Sequence, residues 1–227
     1  MDARDERRLR VMTTRRGRSR EACVRRELAD GRSGQVVFLS HCLLNQNTRY
    51  LGGATCPGVV LDAIQPYVDG GVGIVQMACP EQRVWGGVLK RRFLWLIRHP
   101  YVARASHSLL ALGRPYLRFR YRRLARAVAR DIEDYVGSGF DVVGVVGVAG
   151  SPSCGAVTTL DLAASLRALG SCQRSGITKD WMNREVVGAA MRPGRGLFLE
   201  ALTDELSHRG LAVPTTEFTL PAARDDP

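Results

Sequence analysis

The stretch DVVGVVGVAGSPSCG (141–155) decides the fold of this chain. Its valine-rich first half is apolar without alternation, which is typical of a strand buried on both faces of a parallel sheet. Two further runs, QVVFLS (35–40) and VGIVQMA (72–78), have the same character. The three runs predict a mainly parallel sheet, and the stretch SPSCG then forms the loop that leaves the third strand.

Helical segments separate these strands. Residues 57–71 have room for a helix of about ten residues, residues 158–170 predict a helix that begins at a threonine, and residues 196–210 predict another before a last strand, LAVPTTEF (211–218). Alternation of strand and helix predicts a layered α/β fold with right-handed crossovers.

The segment between the second and third core strands is too long for a simple crossover. Apolar residues at the spacing of one helical stripe predict a long amphipathic helix in its second half, at positions 117, 121, 124, 128, 132 and 135. Pro100 interrupts residues 93–112, for which we expect two short helices. Residues 82–137 are therefore predicted to be a basic helical insertion.

Charge divides the chain into parts. The net charge is +11, and all but two of the 33 basic residues are arginine, the exceptions being Lys90 and Lys179. Residues 1–34 are arginine-rich and lack apolar periodicity, so we interpret them as a disordered basic tail, partly helical over 21–29, or as the product of a wrongly chosen start codon. Residues 35–227 are predicted to form a single α/β domain.

Three of the six cysteines follow predicted strands. Cys42, Cys79 and Cys154 each come just after one of the three runs, and the carboxyl ends of parallel strands meet at one edge of a sheet. We expect these cysteines to converge, where three thiolates could hold zinc or an iron–sulfur cluster. The chain shows no export signal, which predicts a cytoplasmic protein with reduced cysteines.

The motifs around these cysteines resemble a known family. HCLLNQNTRYLGG (41–53), CPEQRVWGG (79–87) and GSPSCG (150–155) are similar, in order and spacing, to motifs of the 2-thiouracil desulfurase family, formerly a domain of unknown function. The resemblance implies an α/β fold with a 4Fe–4S cluster on Cys42, Cys79 and Cys154. It also implies a desulfidase that removes sulfur from a thiolated pyrimidine, with one open iron taking the sulfur and water supplying the replacing oxygen.

Further residues near the cysteines are candidates for catalysis and binding. The resemblance implies that Ser151 is a catalytic residue, since family members use the serine of this motif. Glu81 is the nearest carboxylate to a ligand and is a candidate acid or base, although such a glutamate could equally cap a backbone turn. Asn45, Arg49 and Ser153 are candidates for binding a pyrimidine edge or a phosphate.

The other cysteines and the substrate leave alternatives open. Three roles stay open for Cys56: a fourth ligand, a sulfur acceptor, or an unreactive cysteine at a helix start. Cys23 and Cys172 are assigned no role. The substrate is thiouracil, a thiouridine nucleotide or thiouridine in tRNA.

The basic segment, residues 82–130, carries thirteen basic and no acidic residues, interleaved with aromatic ones. Three interpretations of this segment stay open: an RNA surface, a solvated arginine face, and an interfacial membrane helix. Stable insertion into a membrane is not expected. The alternative function is a non-catalytic iron–sulfur or zinc protein that binds RNA through this segment.

Overall fold

A computed structural model describes residues 23–171 and 177–221 of the protein. The chain divides into two units, Met1–Ser33 and Gly34–Pro227. In the described part of the first unit, residues 23–27 are helical and Cys23 is exposed. The predicted tail up to residue 22 and Cys172 lie outside the described residues, so the expectations for them stay predictions.

The second unit contains a four-stranded sheet in the order β2-β1-β3-β6, with all neighbouring strands parallel. A separate antiparallel pair joins β4 to β5. The strands are β1 (Gln35–Ser40), β2 (Gly73–Met77), β3 (Asp141–Val148), β4 (Thr158–Leu160), β5 (Met191–Pro193) and β6 (Thr215–Phe218). The predicted parallel sheet and its core strands are thus confirmed.

The helices lie between these strands along the chain. They are α1 (His41–Leu44), α2 (Leu61–Asp69), α3 (Pro80–Val84), α4 (Arg91–Arg98), α5 (Pro100–Gly137), α6 (Leu162–Ser171), α7 (Lys179–Trp181) and α8 (Leu197–His208). Short 3-10 turns cover Gln46–Thr48 and Gly188–Ala190, and a π-helical segment covers Met182–Val187.

Helices cover both faces of the four-stranded sheet, which explains why its strands are apolar without alternation. On one face, Phe38 and Val145 pack in a buried cluster with residues of α5 and α8, such as Ile132 and Phe198. On the other face, Val37 packs in a second cluster with residues of α2. The α/β layered fold predicted from the sequence is therefore confirmed.

The insertion between β2 and β3 is helical, as predicted, but its first half differs from the prediction. Instead of two short helices, the chain forms α4 and then the single 38-residue helix α5. Pro100 is the first residue of α5, where its missing N–H would have had no helical partner, so it begins a helix rather than dividing one. The predicted stripe of α5 faces the core, with Tyr121 and Ile132 fully buried.

No helix of the described residues combines the length and the apolar character needed to cross a membrane.

The segment after Cys154 also departs from the prediction, because Thr158 does not begin a helix. Residues Thr158–Leu160 form β4, and α6 begins only after Asp161, whose side-chain Oδ1 accepts hydrogen bonds from the backbone N–H groups of Ala163 and Ala164. A carboxylate near a helix start is stabilised by those free N–H groups and by the helix dipole, so Asp161 takes the role expected of threonine.

Candidate functional site

A cavity of about 120 Å³ opens at the carboxyl edge of the sheet. The side chains of Cys42, Cys79 and Cys154 all line it, although they lie far apart along the chain. Each reaches the cavity from the segment that follows β1, β2 or β3. The convergence expected from the strand ends is therefore present in the structure.

The three thiols are free and sit in largely apolar surroundings. Burial raises the pKa of Cys79 to about 11, helped by the charge of Glu81, and burial also raises the pKa values of Cys42 and Cys154. A charge on Cys42 raises the pKa of Cys79, and charges on Cys42 and Cys79 both raise the pKa of Cys154, as expected for thiols that line one cavity. With nothing bound, these groups are protonated thiols at neutral pH.

Backbone contacts fix two of the cysteines. Cys79 lies at the start of α3, where its Sγ accepts a hydrogen bond of 3.4 Å from the N–H of Gln82. The N–H of Cys154 donates to Ser151 Oγ at 3.0 Å, and its carbonyl accepts from the N–H of Val148. A Cβ on Gly147 would lie 2.0 Å from that carbonyl, so β3 needs glycine for the loop to pack here.

The size of the cavity bears on what the thiols could hold. Among the described residues, no group of three His, Cys, Asp or Glu side chains is set up for a metal ion. A single zinc ion, with bonds of about 2.3 Å, would draw its thiolates to within about 4 Å of one another. A buried water needs only about 10–15 Å³, so the cavity has room for a group of several atoms. Cysteine thiols are the donors that iron–sulfur clusters use, so the residues present fit such a group.

Glu81 lies among hydroxyl groups beside the cysteines. Its Oε1 accepts hydrogen bonds from Ser153 Oγ at 3.0 Å and from Ser151 Oγ at 3.4 Å. The hydrogen bonds described for this carboxylate come from side chains of the Cys154 loop, and its other oxygen, Oε2, lies near Lys90 Nζ. Glu81, Ser151 and Ser153 all line the cavity.

Lys90 also lines the cavity, and the sequence reasoning missed it. Its Nζ lies 3.4 Å from Glu81 Oε2 and donates to the carbonyl of Thr48 at 2.5 Å. The sequence feature that could have pointed to this residue is its type, since lysine is so rare in this chain.

The remaining candidates lie in different places. Arg49 lines the cavity and its Nε donates to the carbonyl of Gly53 at 2.9 Å. Asn45 is not among the described residues that line the cavity, and its Oδ1 accepts a hydrogen bond from the N–H of Asn47. Cys56 is likewise outside that lining; its Sγ donates to the carbonyl of Val59, and it packs against the core.

Part of the cavity wall is apolar. Tyr50, Trp85 and Phe93 line it together with Leu166 of α6 and Met182 of the π-helical segment. Tyr50 is held by a hydrogen bond of 2.9 Å from its hydroxyl to Asn183 Oδ1. Flat aromatic and apolar surfaces of this kind suit a flat, uncharged ring.

Glu217 on β6 holds the chain that follows Cys154. Its carboxylate accepts hydrogen bonds of 2.8 to 3.0 Å from the N–H groups of Ala156, Val157 and Thr158, and one of 2.8 Å from the Thr158 hydroxyl. Burial alone would raise the pKa of this carboxyl, but these bonds together hold it below its usual range. The lone acid of the last strand thus fixes the exit of the Cys154 loop.

We expect Glu217→Gln to lower the free energy of unfolding by about 2 kcal/mol at pH 7, since bonds to a charged acceptor are lost. Because the folded pKa is depressed, this contribution is complete above the ordinary glutamate pKa of about 4.3 and is lost as the pH falls below it. Denaturant unfolding of the parent and the variant between pH 7 and pH 3 measures this. Their difference should shrink toward low pH, and a difference that stays constant with pH would contradict the role of the charge.

No family model matches the sequence, and no curated protein or solved structure matches it significantly. The resemblance to 2-thiouracil desulfurases therefore still depends on the three motifs alone.

Proposed function

We propose that the protein is an iron–sulfur-dependent desulfidase that removes sulfur from a thiolated pyrimidine. The observation that supports this most is the meeting of Cys42, Cys79 and Cys154 in one cavity with Glu81 and Ser151. A carboxylate and a hydroxyl beside three thiolates combine a place for a soft metal cluster with groups that handle protons.

The three cysteines would hold a 4Fe–4S cluster, and their number leaves one iron without a protein ligand. When bound, such a cluster supplies an iron that takes the soft sulfur of a thiocarbonyl. The thiols must lose their protons to bind it, so cluster binding releases protons from groups that burial keeps protonated. Free cysteines of this kind suit the reducing cytoplasm, where we place the protein.

The chain's own groups would move the protons. Glu81, as a carboxylate, can accept a proton from a water molecule that replaces the sulfur. Ser151 and Ser153 donate to Glu81 Oε1, so they fix the direction of its free lone pairs and can contact a bound ring. The apolar wall of Tyr50 and Phe93 would lie along the ring and limit the entry of further water.

Sulfide release tests this function. The anaerobically prepared protein is incubated with 2-thiouracil, with 4-thiouridine monophosphate and with 4-thiouridine-containing tRNA, and sulfide is measured. We expect release from at least one of them, with the uncharged ring favoured by the apolar wall. The absence of release from all three, by a protein that carries its cluster, would overturn the proposal.

A second candidate function, RNA binding through the basic segment, is favoured by exposed aromatic side chains. Trp95 of α4 is 51% exposed, and Tyr101 and Phe119 of α5 are 82% and 61% exposed. Arg118 and Arg122 are exposed on the same helix as Phe119. Cations beside exposed aromatic rings are the combination that binds the phosphates and bases of single-stranded RNA.

Reversing two of these charges tests the RNA surface. If Arg118 and Arg122 each contact a phosphate, the double variant Arg118→Glu/Arg122→Glu should reduce the slope of log affinity against log salt by about 1.4, because each contact contributes about 0.7. The measurement is tRNA binding in a salt series, with Arg195→Glu, an exposed position outside the segment, as control. An unchanged slope in the double variant would remove these arginines from the RNA surface.

A further inference from the structure

Lys90 occupies a position that is unusual for a lysine. It is 4% exposed, although most lysines keep their ammonium group in water. Burying a charge is costly unless the charge is paired and hydrogen-bonded. In this chain lysine is also used only twice against many arginines, so the choice of lysine at a buried position calls for a physical reason.

The backbone at Lys90 is strained. Its φ of 49° lies in the left-handed region, and no other non-glycine residue of the described part shares that feature. A residue with a Cβ pays free energy to adopt this conformation, and the strain persists only where surrounding contacts determine it. Here the strained turn lies between α3 and α4 and directs the lysine into the cavity.

The contacts of Lys90 connect the three segments that carry the cysteines. Its Nζ binds the carbonyl of Thr48, six residues after Cys42, and the carboxylate of Glu81, two residues after Cys79. Through Glu81 Oε1 the chain of contacts continues to Ser151 and Ser153, in the loop of Cys154.

We propose that Lys90 is a positioning residue: its ammonium group holds the Glu81 carboxylate against the two serines of the Cys154 loop. One oxygen of Glu81 faces Lys90 and the other faces the hydroxyls, so loss of the cation would free the carboxylate to rotate. The consequence for catalysis depends on the proposed function, whereas the link between Lys90 and Glu81 does not.

The choice of lysine over arginine fits this geometry. An ammonium group is a compact charge with three donors, and it can serve a carbonyl and a carboxylate from one atom. A guanidinium group is planar and spreads its donors over three nitrogens, so it does not serve the Thr48 carbonyl and the Glu81 carboxylate from one atom as Nζ does. We therefore expect Lys90→Arg to show the same losses of stability and of kcat as Lys90→Met.

Unfolding of the metal-free protein tests the link without any activity. Lys90→Met keeps an unbranched side chain that is one atom shorter and removes its charge, which leaves the Glu81 carboxylate without its cation. We expect the unfolding equilibrium constant to rise about 10- to 100-fold, because a partly buried charge loses its partner. In the Glu81→Gln background, Lys90→Met should raise the unfolding equilibrium constant at most about threefold. Equal effects in both backgrounds would overturn the proposed link.

Kinetics with the cluster-loaded protein test the positioning role. Lys90→Met should lower kcat about 100-fold with KM changed less than threefold, and it should add little to the loss in Glu81→Gln. Lys179→Met, at the only other lysine and on the surface, is the control. Unchanged kcat in Lys90→Met would overturn the positioning role. A parent protein without sulfide release would instead reject the proposed function, while the unfolding measurement would still decide the Lys90–Glu81 link.

Discussion

Replacing Cys42, Cys79 or Cys154 by alanine is expected to abolish retention of the cluster in each case. The three thiols line one cavity from three separate strand ends, and each would bind a different iron. Loss of any one leaves a cluster with two protein ligands and a gap in its apolar surroundings. The measurement is bound iron and acid-labile sulfide per chain after anaerobic purification, which should fall from about four of each to near zero.

Two other cysteines provide matched controls for these substitutions. Cys23 is exposed in the first unit, and Cys56 packs against the core and does not line the cavity in the described part of the chain. Cys23→Ala and Cys56→Ala should keep the full iron content. Full iron content in Cys154→Ala would contradict the assignment, and loss of iron in Cys56→Ala would restore the alternative of a fourth ligand.

Glu81→Gln is expected to keep the cluster and to lower kcat for sulfide release about 10²- to 10⁴-fold, the usual contribution of a general acid or base. Glutamine preserves the shape of the side chain but cannot accept the proton. Ser151→Ala should lower kcat by a similar factor, since its hydroxyl contacts both Glu81 and the backbone of Cys154.

Exposed residues of the same types serve as controls for the catalytic variants. Glu200→Gln and Ser207→Ala on α8 should leave both the iron content and kcat unchanged. If Glu81→Gln retains parental kcat with its iron in place, the carboxylate has no part in proton transfer. If Ser151→Ala loses iron as well as activity, the serine acts by holding the Cys154 loop.

The sheet and the meeting of the cysteines could be predicted because each depends on a local pattern. Continuous valine-rich runs indicate strands buried on both faces, and a residue just after such a strand must lie at the carboxyl edge. Position along the chain was therefore enough to bring Cys42, Cys79 and Cys154 together. Asn45, which follows Cys42 closely, instead caps the turn at Gln46–Thr48 with its side chain and is not among the described residues that line the cavity.

The contacts that organise the site could not be read from local patterns. Glu217 binds backbone groups some sixty residues away. Its partner Thr158 was predicted to begin a helix, but in the structure its hydroxyl donates to Glu217 instead. The position of the Lys90 side chain depends on a left-handed backbone conformation, which no periodic sequence pattern predicts. Such pairings are set by tertiary packing, which overrides the local preferences of threonine and lysine.

The long helix α5 shows a similar limit. Its second half has a clear apolar stripe and was predicted, whereas residues 100–112 were expected to form a separate short helix after a break at Pro100. A proline predicts a helix boundary, and the boundary is indeed there, but the sequence does not tell how far the new helix then extends.

The most direct test of the central claim is the content of iron and acid-labile sulfide in the anaerobically purified parent, measured together with sulfide release from 2-thiouracil. Three cysteines around one cavity lead us to expect about four irons and four sulfides per chain, and release of sulfide only from protein that carries them. A protein that binds zinc in place of iron, or that holds a full cluster and releases no sulfide from any thiolated pyrimidine, would contradict the account.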